Sequence, residues 1–119
     1  MAQAVEGVAP LPSEIGEWSC EWQETPSALE LAFRRKDRRS AAVGEVVAGR
    51  IVLARRDQGW AVEVRVWVLE DLAEHQRLRV RRGTASTVEE LAELLTEFAV
   101  PAELAHQLVQ ARPETAPAT

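Results

Sequence analysis

The clearest pattern in the chain is a strict alternation. Trp60, Val62, Val64, Val66 and Val68 fill every second position, with Ala61, Glu63, Arg65 and Trp67 between them. Period two in β-branched residues predicts a central strand with one buried face. Shorter alternations flank it. Trp18, Cys20 and Trp22 share one parity, as do Leu29, Leu31 and Phe33 within Ala28 to Arg35. Ser40 to Val47 reads as a further strand weakened by Gly44 and Gly49, and Arg50 to Arg56 as a cleaner one. Asp57-Gln58-Gly59 supplies turn chemistry. Gln76 to Arg82 alternates again, which predicts Leu78 and Val80 inward and Arg77, Arg79 and Arg81 outward.

The period changes after Gly83. Ser86 with Glu89, and Thr87 with Glu90, both match a capping box. Val88, Leu91, Leu94, Leu95 and Phe98 then recur at helical spacing, with Glu89, Glu90, Glu93 and Glu97 largely off that stripe. Pro101 suits the first turn of a second helix, running to about Arg112 with Leu104 and Leu108 inward. Strands first and helices last predict an α+β domain: an antiparallel meander of about five strands, packed by C-terminal helices. Residues 1–12, a mix of Ala, Gly and Pro, and 113–119 (PETAPAT) lack periodicity, so they read as disordered tails around a single domain spanning 13–112.

Composition narrows the class. At 119 residues, the chain has core enough for one domain. No apolar run has the length of a membrane span, and the first residues lack the basic start and apolar stretch of a secretory signal. A lone cysteine, Cys20, excludes an internal disulfide. A cytoplasmic protein is expected.

The formal net charge of −5 hides a segregation. Residues 1–33 carry net −6, residues 34–82 net +6 and residues 83–119 net −5, and thirteen of the fourteen bases are arginine. Such a basic middle either neutralises itself within the fold or presents a face to an anionic partner.

No catalytic constellation is legible along the chain. His75 and His106 have no triad or metal spacing around them, and Cys20 between two tryptophans reads as a small core residue. No phosphate-binding loop, dinucleotide fingerprint, HExxH or GxSxG pattern occurs. Glu70, Asp71 and Glu74 form an acidic connection without calcium-loop spacing. The expectation is a non-enzyme with no cofactor and no metal.

Binding is the better-supported class. Parity places Trp67 and Arg65 on the outer side of the sheet, and the predicted pairing adds Arg77, Arg79 and Arg81 to that side. The RRKDRR run (Arg34, Arg35, Lys36, Arg38, Arg39) reads as a basic hairpin tip. The leading expectation is a small non-catalytic protein-interaction domain, homodimeric through a sheet edge or the Trp67 face. The alternative is a nucleic-acid binder, with bases stacking on Trp67 and arginines pairing phosphates.

Overall fold

A computed structural model describes residues 11–71 and 75–114. It is an α+β fold whose six strands form one antiparallel meander in sequence order. The strands are β1 (Glu14–Ile15), β2 (Trp18–Thr25), β3 (Ala28–Arg35), β4 (Val46–Arg55), β5 (Trp60–Leu69) and β6 (Gln76–Ala85). Helices α1 (Val88–Glu97) and α2 (Ala102–Ala111) follow. No described helix is long and apolar enough to cross a membrane.

The valine ladder is the middle of the core. Cross-strand rows run Cys20–Phe33–Gly49–Val66, Trp22–Leu31–Ile51–Val64 and Leu29–Leu53–Val62. Leu91 and Leu95 of α1 and Leu104 and Leu108 of α2 cover these rows, all four fully buried. Each such side chain contributes about 1.5–3 kcal/mol of transfer free energy. Both helices lie on this one side, and the smallest extent of the molecule is 19 Å. The other side of the sheet has no covering layer among the described elements.

Two stretches depart from the sequence reading. Ser40–Val47 and Arg50–Arg56 are not separate strands. The chain from 36 to 45 is a connection containing a short 3₁₀ turn, Arg38–Ser40, and Val46–Arg55 is one continuous strand. Gly49 does not break it, because the glycine accommodates the Phe33 ring. A Cβ at 49 would lie 2.5 Å from Phe33 Cζ and 2.7 Å from the Arg65 carbonyl oxygen. The RRKDRR run is therefore no tight hairpin tip.

The helix signals translate closely. Thr87 Oγ1 accepts from the Glu90 amide at 3.1 Å, while the Glu90 carboxylate accepts from the Ser86 amide at 2.7 Å. The reciprocal arm thus reaches one residue further back than a standard capping box. Pro101 precedes α2 as its cap and does not lie within the first turn. Both ends of the described residues are tied to tryptophans: Trp22 Nε1 donates to the Pro12 carbonyl and Trp60 Nε1 to the Pro113 carbonyl, each at 2.7 Å. The rest of the two segments read as tails, 1–10 and 115–119, lies outside the described residues.

Candidate functional site

The uncovered side of the sheet is set by the register. Each strand from β2 to β6 contributes alternate residues, which align in four rows. They are Ser19–Arg34–Ala48–Trp67–Leu78, Glu21–Ala32–Arg50–Arg65–Val80, Gln23–Glu30–Val52–Glu63–Arg82 and Thr25–Ala28–Ala54–Ala61–Thr84. Five alanines occupy this grid, although alanine is a poor strand former and fills little of a pleated surface. Two of the largest apolar side chains are side by side at one corner: Trp67 is 36% exposed and Leu78, its cross-strand partner, 44%.

The charges on this face are mostly tied to each other. Arg50 Nη1 is 3.1 Å from the Glu30 carboxylate. Glu63 accepts from Arg65 Nε at 2.6 Å and from Arg82 Nε at 3.4 Å. The Arg65 hydrogen bond, ahead of the other contributions, holds the Glu63 carboxyl below its usual range.

At the Trp67 end the face deepens into shallow grooves of about 520 and 640 Å³. A bulge where the β4–β5 register shifts turns Val47 to this side. Val47 and Leu69 are buried there, apart from the main core cluster, and Arg38 of the 3₁₀ turn lies at the rim.

The arginine row stands elsewhere. The β5–β6 register pairs Arg77 with Val68, Arg79 with Val66 and Arg81 with Val64. These three arginines therefore lie on the helix side of the sheet, and Leu78 and Val80 lie with Trp67, the reverse of the parity expected from sequence. The reason is at the far end of the strand. Gly83 and Ala85 share the arginines' parity; Ala85 is buried, and α1 packs so closely on Gly83 that a Cβ there would lie 3.2 Å from Leu94 and Phe98 side-chain carbons. The close seat of α1 on Gly83 favours a small residue there, and that contact fixes which parity faces inward. Smallness at 83 and 85, not the apolarity of 78 and 80, was the signal that carried the answer. Beyond the reach of α1 the same parity is free to carry arginines at the sheet rim.

The segment Arg34 to Arg39 divides. Arg35 is absorbed into the fold: its side chain is 9% exposed, pairs with Glu17 and Glu45, donates to the Val46 carbonyl at 2.8 Å and stacks over Trp18 at 4.8 Å. Lys36 pairs with Glu14 at 3.0 Å. Arg34, Arg38 and Arg39 are exposed and in no ion pair among the described residues.

Candidate chemistry elsewhere is sparse. His75 Nδ1 lies 2.8 Å from the Asp71 carboxylate, whose hydrogen bond raises the imidazole pKa; both are exposed. His106 is exposed on α2. Cys20 is buried, and burial pushes its thiol pKa up, against the direction that makes a nucleophile. Among the described residues no group of three His, Cys, Asp or Glu side chains is placed to hold a metal ion. Glu74, part of the acidic connection, lies outside the described residues. Comparison with known protein families, curated proteins and solved structures finds no match for this chain.

Proposed function

We propose that this chain is a non-catalytic protein-interaction domain that works as a homodimer joined through the uncovered face of its sheet. The observation that carries this reading is the composition of that face: an alanine-rich floor with exposed Trp67 and Leu78 at one corner. Small residues let a second layer approach, and a large aromatic beside a leucine is the usual anchor of an interface. Five strands at about 4.8 Å spacing and eight to ten residues long present roughly 800 Å². That is the area per partner of a standard stable interface. Sheet-on-sheet packing also needs no edge pairing.

Sedimentation velocity on the intact chain is the test. The expected particle is about twice the 13.2 kDa chain mass. Trp67→Ala combined with Leu78→Ser is expected to shift it to monomer while leaving the far-ultraviolet circular dichroism unchanged. A parent protein that is monomeric at tens of micromolar removes the homodimer, and an undiminished dimer in the double variant moves the contact off this face.

The nucleic-acid alternative draws less support. It joined Trp67 to Arg77, Arg79 and Arg81, and the register separates them by the thickness of the sheet. On the Trp67 side Arg65, Arg50 and Arg82 are paired with Glu63 and Glu30, which leaves Arg34 in the Trp67 row and Arg38 lining the groove.

A further inference from the structure

The β6 strand ends the sheet, with β5 as its sole neighbour among the described strands. It is ten residues long, Gln76–Ala85, and Ala85 is its one buried residue. One line of its backbone amides and carbonyls therefore faces outward without a described strand to pair with, and such a line is a template for pairing with another chain.

The side chains along this edge are ordered in two files. On the helix side stand Arg77, Arg79 and Arg81, about 6.6–6.8 Å apart as alternate strand residues must be. None of the three is in an ion pair among the described residues, although α1 exposes Glu89, Glu93 and Glu97. On the other side stand Leu78 and Val80, the first exposed and the second half-buried.

A second copy is the wrong occupant for this edge. Antiparallel β6 pairing about a two-fold axis normal to the sheet keeps the two faces aligned. Every such register that pairs more than five residues of each strand then sets arginine opposite arginine, and like charges directly opposite are destabilising. A single-stranded nucleic acid fits poorly too, because the exposed tryptophan that bases would stack on is on the opposite face.

We infer that the β6 edge is a docking site for an extended acidic segment of a partner protein, added to the sheet as a seventh strand. The segment alternates: carboxylates opposite Arg77, Arg79 and Arg81, apolar residues beside Leu78 and Val80. Main-chain hydrogen bonds to the open edge supply affinity, and the two files supply specificity. Guanidinium forks suit carboxylates in this setting, since each arginine offers several donors at a fixed geometry. The site differs from the open-face dimer in its arginine file and its free strand edge, and shares with it only Leu78 and Val80.

The test uses the full chain and a fluorescently labelled, terminally blocked ten-residue peptide in which glutamate alternates with valine. Fluorescence anisotropy at low salt is expected to show binding, weaker by roughly tenfold or more for a peptide of the same composition with its glutamates in one block. Replacing Arg77→Glu, Arg79→Glu and Arg81→Glu together is expected to cost roughly tenfold to a hundredfold, the sum of three opposed charge pairs. That variant is then expected to bind an alternating lysine–valine peptide, a gain that misfolding does not produce. Backbone amide shifts in nuclear magnetic resonance are expected along 76–82, not around the Trp67 indole.

Several results overturn the inference. They are absence of peptide binding at low salt, which leaves the arginines as a guard against edge aggregation; equal binding of the blocked peptide; shifts confined to the open face; and preference for a single-stranded oligonucleotide over the peptide. Sedimentation of the arginine triple variant separates this site from the dimer. In the parent protein, a dimer without peptide binding sinks only the edge inference, and peptide binding by a monomer sinks only the open-face reading; in the triple variant the dimer is expected to persist while peptide binding falls.

Discussion

Ala99 shows how one residue can carry strain that the surrounding structure over-determines. After Phe98, the cap of α1, the chain takes a left-handed turn at Ala99, with φ 65°. The Val100 amide donates to the Leu95 carbonyl and the Ala99 amide to the Thr96 carbonyl, both at 3.0 Å, which is the Schellman arrangement. Val100 and Leu95 are both buried, so the closing apolar contact is in place. A side chain in this conformation costs about 1–2 kcal/mol, and glycine removes that cost while losing some of it to unfolded-chain entropy. Ala99→Gly is expected to stabilise the fold by about 1 kcal/mol, read as a higher midpoint in urea unfolding at unchanged slope. A lower midpoint contradicts the assignment. Cys20 allows a second residue-scale check. Buried opposite Phe33 and with its thiolate disfavoured, it is expected to react with a disulfide reagent only as fast as the protein opens. Full reaction of the unfolded chain gives the reference.

At the scale of elements, legibility followed the number of independent signals. The β5 strand was readable because nine consecutive residues agreed on one period, and α1 because its stripe and its cap coincided. The β6 strand misled because its two halves disagree: apolar Leu78 and Val80 at one parity, small Gly83 and Ala85 at the other. A helix packed on glycine is a tertiary constraint, and hydropathy alone does not express it. The β4 strand was split in sequence at Gly49, which the structure uses to seat the Phe33 ring. The ionic cluster across β5 and β6 makes an element-scale prediction. Arg65 and Arg82 hold the Glu63 pKa below its unfolded value, so ionised Glu63 favours the folded state above the unfolded pKa of about 4.3. That contribution is lost as pH falls through the folded value. The stability gap between the parent and Glu63→Gln, followed by urea unfolding across pH 3–7, is therefore expected to be present at neutral pH and to close toward the acid end. A gap that widens in acid has the wrong sign for this cluster.

Across the whole molecule, the segregation of charge visible in sequence is only partly cancelled by folding. Glu14 and Glu17 from the acidic first third do meet Lys36 and Arg35. The acidic face of α1 meets no base within 4 Å among the described residues. The candidate surfaces consequently differ in kind. The open face is apolar at its Trp67 corner and mostly paired in charge elsewhere, whereas Arg77, Arg79 and Arg81 along β6 are in no ion pair among the described residues. Ions screen exposed charges over about 10 Å at 0.1 M salt and about 3 Å at 1 M, and they leave apolar contact area intact. Raising sodium chloride from about 0.05 to 0.5 M is therefore expected to weaken acidic-peptide binding severalfold or more while the sedimentation coefficient of the dimer holds steady. Trp67→Ala is expected to reverse the pattern, loosening the dimer at every salt concentration and leaving peptide affinity within about twofold. Salt that dissociates the dimer and spares the peptide inverts both assignments, because it makes the alanine-floored face electrostatic and the arginine rim apolar in character.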